Sequence, residues 1–163
     1  MEVTLEPLAT AHLDVLYSIK NNEAVLNDIP GDYPLDREVF DATNGKIIAA
    51  GPSVKQAAFT IYVDGIIAGM TGHFSRENSS DIEVGYFIGE QWWSKGVVTK
   101  AMQLNLKNMR QLGVSGKVIG CHAAENVASG RVLEKSGFSR DGEKAFTMPN
   151  GEIVTDPQWI ILL

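Results

Sequence analysis

One cysteine, Cys121, is all the chain contains, so no disulfide can form within it and a tetrahedral zinc site built on several thiolates is excluded. A reducing compartment fits that usage. Positive charge is also scarce: 14 Lys and Arg stand against 20 Asp and Glu, for a net charge of -6. Such a balance repels phosphate backbones and anionic membrane surfaces, so neither a nucleic acid nor a membrane is expected as partner. No stretch approaches the roughly 18 apolar residues of a membrane helix. The opening MEVTLEPLATAHLDVLYSIK carries acidic residues early and lacks a charged-then-apolar leader pattern, and a cytoplasmic location is expected. What remains is 163 residues, 44% hydrophobic and 21% charged, without repeats or low-complexity tracts. That is the content of one globular domain spanning 1–163.

The order of elements is legible from periodicity and turn residues. Val3 to Leu5 predicts a short strand, and Thr10 is a candidate N-cap for a helix over Ala11 to Lys20, with Leu13, Leu16 and Tyr17 at helical spacing. Asn27 to Pro34 reads as a loop, and Asp36 to Ala50 as a helix that Gly45 weakens. The run from Ala57 to Phe74, broken by Asp64-Gly65, predicts a hairpin, followed by a polar connection and a strand over Asp81 to Ile88. Val98, Met102, Leu106 and Met109 then recur at helical spacing, placing a helix between about Lys95 and Gly113. A strand at Val118 to Cys121, a helix over Asn126 to Lys135 closed by Gly137, and a hairpin of Phe138 to Thr147 with Glu152 to Leu162 complete the chain. An antiparallel meander, a strand-helix-strand-helix unit and a closing hairpin make a mixed α/β sheet with helices on its faces.

The junction GEQWWSKGVVTKAM joins a strand to a helix, where backbone N–H groups and the positive dipole end favour an anion. The nucleotide-triphosphate pattern GxxxxGK[ST], laid on Gly89 to Gly96, finds Ser94 in place of its second glycine and Gly96 in place of its hydroxyl. The dinucleotide pattern GxGxxG has no match there. A compact turn remains, with Gly96, Lys95 beside it and Thr99 just inside the helix.

Three segments carry a resemblance. WWSKGVVTKA resembles the pyrophosphate-binding turn [QR]-x-x-G-x-[GA] of the GNAT superfamily of N-acetyltransferases, with Trp93 and Val98 as departures. ENVASGRVLEKSGF is similar to the N-x-x-S-x-R-V-L-E-K-x-G-F element of its ribosomal-protein acetyltransferase (RimJ/RimL-like) branch, and DIEVGYFIG is similar to the family's acidic strand A-E-I-G-Y. The likeness follows the element order of nearly the whole chain. It implies a twisted, mostly antiparallel sheet of about seven strands, helices on both faces, and a splayed central parallel strand pair. It also implies an enzyme that transfers an acetyl group from acetyl-coenzyme A to a primary amine, a protein N-terminus or a small molecule, by direct attack on the thioester without a metal. The alternative is an acyl-coenzyme A-binding sensor or interaction module with impaired catalysis, suggested by Val98, by Leu133 where the wider family often has a tyrosine, and by the lack of an acidic residue in KAFTM.

The resemblance also assigns roles. The N–H groups of Lys95, Gly96, Val97, Val98 and Thr99 would take the pyrophosphate, and the strand from Tyr86 through Phe87 to Ile88 would take the pantetheine arm. Asn126 would bind that arm, and Ser129 would contact the sulfur, against the plainer readings of a helix cap and a small packing residue. Glu83 occupies the position of a general base, or is an ordinary partly exposed glutamate. A base or a water relay is needed, because an amine of pKa about 10.4 loses its proton at neutral pH only at a cost of roughly 4–5 kcal/mol. Tyr33, in the loop that shapes the acceptor pocket, is the candidate substrate contact. His73 and His122 read as packed or solvent-facing, with a proton relay as the other possibility, and their spacing from His12 suggests no metal site. Cys121 reads as core, and Trp92 and Trp93 as packing residues. The acidic surplus points to a cationic acceptor, and a homodimer is one open assembly state.

Overall fold

In a computed structural model, residues 1–27, 35–76, 79–147 and 150–163 are described. Their strands are β1 (Val3–Pro7), β2 (Gln56–Val63), β3 (Ile66–Ser75), β4 (Ile82–Ile88), β5 (Lys117–Cys121), β6 (Ser139–Thr147) and β7 (Ile153–Leu162). The helices are α1 (Leu13–Lys20), α2 (Glu23–Asn27), α3 (Arg37–Ala50), α4 (Val97–Gln111) and α5 (Val127–Lys135). One seven-stranded sheet runs in the order β1-β2-β3-β4-β5-β7-β6, with β4-β5 parallel and the other described pairings antiparallel. This is the α/β architecture the sequence implied.

Local chemistry explains most boundaries. Asp64 and Gly65 both have positive φ, +49° and +77°, as a two-residue turn between twisted strands requires. The Asp36 carboxylate accepts from the Val39 N–H at 2.9 Å and starts α3, which runs through Gly45. At the end of α5 the Phe138 N–H reaches the Leu133 carbonyl at 3.1 Å, closing the helix. Several boundaries differ from expectation by one or two residues, with β1 running on to Pro7 rather than ending at Leu5. Thr10–His12 forms a 3-10 turn, so α1 begins at Leu13 rather than Ala11, and Asn27 ends the short α2 instead of opening a loop.

The helices cover both faces. α4 and α5 lie on one side, where Met102, Leu106, Met109 and Leu133 pack on Ile82, Val84 and Val118. Toward its N-terminus α4 sets Val97 and Ala101 against Val3, Ile61, Val63 and Ile88. On the other face Leu16, Val25 and Phe40 of α1 to α3 bury Ala58 and Phe87. Among the described residues no helix is long and apolar enough to cross a membrane.

Candidate active site

The sheet opens at its centre. β4 and β5 pair only at Ile82↔Val118 and Glu83↔Ile119, and beyond these the two strands part. A cavity of about 680 Å³ occupies the opening, bounded by β4, the N-terminus of α4, the end of β5 and α5. The β3–β4 ladder fixes which backbone groups of β4 face it. The Gly89 N–H bonds the Ala68 carbonyl at 2.9 Å and the Arg76 N–H bonds the Asp81 carbonyl at 3.0 Å, so odd-numbered residues of β4 address β3. Tyr86 and Ile88 therefore turn their main-chain groups toward the opening. The Ile88 carbonyl already accepts from Trp93 Nε1 at 3.1 Å. Phe87 lines the same cavity, but its side chain is buried against α1 and α3 and its amide lies on the β3 side.

At the other wall the chain enters α4 through Gly96, whose φ of +75° is a left-handed conformation that glycine adopts without the strain a Cβ brings. No side chain caps the helix, and the first acceptor is the Gly96 carbonyl, bonded by the Lys100 N–H at 3.1 Å. The N–H groups of Val97, Val98 and Thr99, which line the cavity, are thus open to an anion. Lys95 carries its ammonium 5.5 Å from the Trp92 ring, beside this turn. Val98 is half-buried and packs toward Val97 and Ala101, so its bulk is partly absorbed by the core. Uncapped helical donors and an unpaired strand edge, meeting in one cavity, suit a ligand with a phosphate end and an amide-bearing arm. The residues present fit acetyl-coenzyme A.

The reactive end of the opening lies around α5. Asn126 caps that helix, its side-chain oxygen accepting from the Ser129 N–H at 3.1 Å, and it lines the cavity as well. Ser129 is buried, and its hydroxyl meets the phenol of Tyr86. Burial pushes the Tyr86 phenol up to about 12, with the Ser129 bond opposing. On the opposite face of β4, Glu83 accepts from Arg76 Nε at 2.5 Å, with side chains 14% and 12% exposed, so one carboxylate oxygen is committed to the pair. The same guanidinium reaches Cys121 Sγ at 3.4 Å. Cys121 is half-buried at the cavity wall rather than in the core, and burial, then the Glu83 charge, push its thiol up.

The structure decides the histidines. His122 lines the cavity, accepting from Trp159 Nε1 at its Nε2 (3.1 Å) while its Nδ1 faces the Ala123 carbonyl at 2.8 Å, so both ring nitrogens are engaged in this network. His73 is packed: 2% exposed, bonded through Nε2 to the Ser53 carbonyl at 2.9 Å, and held below its ordinary value by burial. Trp92 is partly buried, whereas Trp93 is 39% exposed and serves mainly as the donor to Ile88.

Glu83, Ile88, Gly96 to Thr99, Asn126 and Ser129 thus converge on one cavity, whereas Lys95, between the lining residues Ser94 and Gly96, does not itself line it. Tyr33 lies outside the described residues. Sequence reasoning missed three groups. The strand pattern gives Tyr86 a main-chain role only. Arg76 sits seven residues from its partner across a connection, and no local pattern flags it. Asp156, on the closing hairpin, lines the cavity, and burial followed by the Glu125 charge raises its pKa. Alternation along β7 signals its face but not what stands opposite.

Known proteins share this fold. A GNAT-family structure from Bacillus anthracis superposes with a TM-score of 0.81 at 20% identity, covering 99% of this chain and 95% of that one. Spermidine N-acetyltransferase from Vibrio cholerae, solved with coenzyme A and spermine, gives 0.80 at 18% identity over 98% and 95%. The aminoglycoside acetyltransferase AAC(6')-Ib, solved with coenzyme A and kanamycin, gives 0.78 at 17% identity over 99% and 95%. At these identities the likeness establishes the fold. No curated protein sequence matches at a significant level. Residues 2–139, however, match the family described as "Acetyltransferase (GNAT) domain". The chain belongs to the GNAT acetyltransferase family.

Proposed function

We propose that this protein transfers an acetyl group from acetyl-coenzyme A to a primary amine of a cationic acceptor, using the whole of 1–163 as one catalytic domain. The observation that carries the reading is the parting of β4 from β5 directly beside the uncapped N-terminus of α4. In this reading the N–H groups of Val97 to Thr99 hold the pyrophosphate, assisted by Lys95 and by the turn at Gly96. The main chain of Tyr86 and Ile88 extends the sheet onto the pantetheine arm, with Phe87 walling the strand from behind and Asn126 reaching from the other side. Ser129 supplies a hydroxyl to the sulfur.

The acceptor enters from the face of Glu83. That carboxylate keeps one oxygen outside its Arg76 bond, with which it takes the proton of the incoming amine directly or through water. Asp156 and Glu125 add negative charge at the same mouth, which favours a cationic acceptor. Two structural relatives are described with spermine and kanamycin, both polyamines, in support of that class. The ENVASGRVLEKSGF segment supports a second acceptor class, the N-terminal α-amine of a protein, as in the RimJ/RimL-like branch.

Incubation with acetyl-coenzyme A and a panel of polyamines, aminoglycosides and peptides bearing an N-terminal alanine, followed through free thiol release, tests the assignment. Turnover with at least one cationic amine is expected. Coenzyme A binding in calorimetry without turnover of any acceptor would instead favour the acyl-coenzyme A-binding module.

A further inference from the structure

Tyr86 stands on the face of β4 that packs toward α4 and α5, in line with Ile82 and Val84. Its neighbours on that face are aliphatic, and packing alone asks for no hydroxyl there. Yet its phenol lies buried against Ser129, 43 residues further along the chain, within the cavity that both residues line.

Two acceptors compete for the phenol proton: Ser129 Oγ, and the Ser129 main-chain oxygen at 3.3 Å. The carbonyl is the poorer partner. It lies early in α5, where the N–H four residues on is its natural donor, and 3.3 Å is long for an O–H···O bond. A phenol, with a pKa of about 10, is also the stronger acid of the two hydroxyls, so it donates and the serine oxygen accepts. A serine hydroxyl has a single proton. With Tyr86 occupying one of its lone pairs, that proton is directed away from the phenol and into the opening.

We propose that Tyr86 is a positioning residue for acetyl transfer: it fixes the Ser129 hydroxyl so that its O–H points at the sulfur leaving the acetyl group. This rests on the acetyl-coenzyme A reading above. The amine nitrogen forms the new bond to the carbonyl carbon, the carbon–sulfur bond breaks, and its electron pair stays on sulfur. Ser129 stabilises that thiolate by a hydrogen bond, and the surplus proton of the amine reaches the sulfur through water. Both hydroxyls keep their own protons. Because burial raises the phenol to about 12, Tyr86 remains a donor over the whole range in which the enzyme would work.

The test reads the thiol of bound coenzyme A, titrated through its thiolate absorbance. In the wild-type complex its pKa should fall below the ordinary thiol value of about 8.5. Ser129→Ala and Tyr86→Phe should each return it upward by about one unit and lower kcat about tenfold, while affinity for desulfo-coenzyme A, which lacks the sulfur, stays the same. The double variant should be no worse than Ser129→Ala, since Tyr86 acts only through the serine. Fluorotyrosine in place of Tyr86 keeps the shape and strengthens the donor, and should lower the bound thiol pKa further. If Tyr86→Phe leaves that pKa at the wild-type value while Ser129→Ala raises it, the proposal is overturned. Should Tyr86→Phe fail to fold, an unchanged pKa in the fluorotyrosine protein overturns it equally. Absence of coenzyme A binding by the wild type removes the donor assignment itself, an outcome distinct from normal binding with an unshifted thiol.

Discussion

Glu83 and Arg76 pose the sharpest question among single residues, because the carboxylate proposed to accept the amine proton is also half of a nearly buried ion pair. Removing one partner of such a pair leaves the other charge desolvated, at a cost of about 3–5 kcal/mol. Glu83→Gln should therefore lower the unfolding free energy by about 3 kcal/mol in urea titrations. Any loss of activity in that variant must be compared at a denaturant-free temperature where it remains folded. Arg76→Lys would keep a cation near Glu83 but lose the fixed guanidinium geometry, including its reach to Cys121. A Glu83→Gln protein as stable as the parent would show that the pair is solvated in solution, leaving both carboxylate oxygens to the acceptor.

Among the elements, two glycines separate propensity from packing. Gly45 made α3 the weakest helix in the sequence, yet α3 forms, because Asp36 caps it and Phe40 is buried beneath it. A Cβ at Gly45 would meet nothing within 4 Å, whereas one at Gly69 of β3 would stand 2.1 Å from the Phe87 carbonyl oxygen. Gly45→Ala should stabilise by about 0.5–1 kcal/mol, through helix propensity alone. Gly69→Ala should destabilise by several times that and disturb the β4 edge, since a backbone atom cannot swing aside as a side chain can. Thermal melts of the two proteins, moving in opposite directions, check the contrast. The same contrast explains what was legible beforehand. Strands, helices and their order follow from periods of 2 and 3.6 and from caps, and the cavity-forming turn at Gly96 follows from a short motif. The five-residue α2 shows no period, and Tyr86 with Ser129, Arg76 with Glu83, and His122 with Trp159 are contacts between elements far apart in sequence. Alternation says which face a residue takes, but the partner on that face depends on how the sheet twists and where it splits.

At the scale of the whole molecule, the net charge of -6 conflicts with a polyanionic donor only if charge is counted globally. Oriented N–H groups at the start of α4 act locally, and the potential of distant carboxylates is screened beyond about 8–10 Å at physiological salt. The split in the sheet matters more for stability. β1 to β4 and β5 to β7 are joined across the centre by two residue pairs of a parallel ladder, reinforced by the contact of α4 with α5. A ligand lying between β4 and α5 would add hydrogen bonds where the sheet now has none, tying the two halves together. Coenzyme A at about 100 times its dissociation constant should stabilise the fold by about 2.7 kcal/mol, which for a chain of this length raises Tm by about 5–10 °C. The added protection should concentrate in the main-chain amides of Tyr86 and Ile88, whose hydrogen exchange should slow more than that of the distant β1–β2 pair. Uniform slowing across the sheet would indicate global stabilisation without a bridge. No rise in Tm at all would mean that the opening between β4 and β5 does not hold the cofactor.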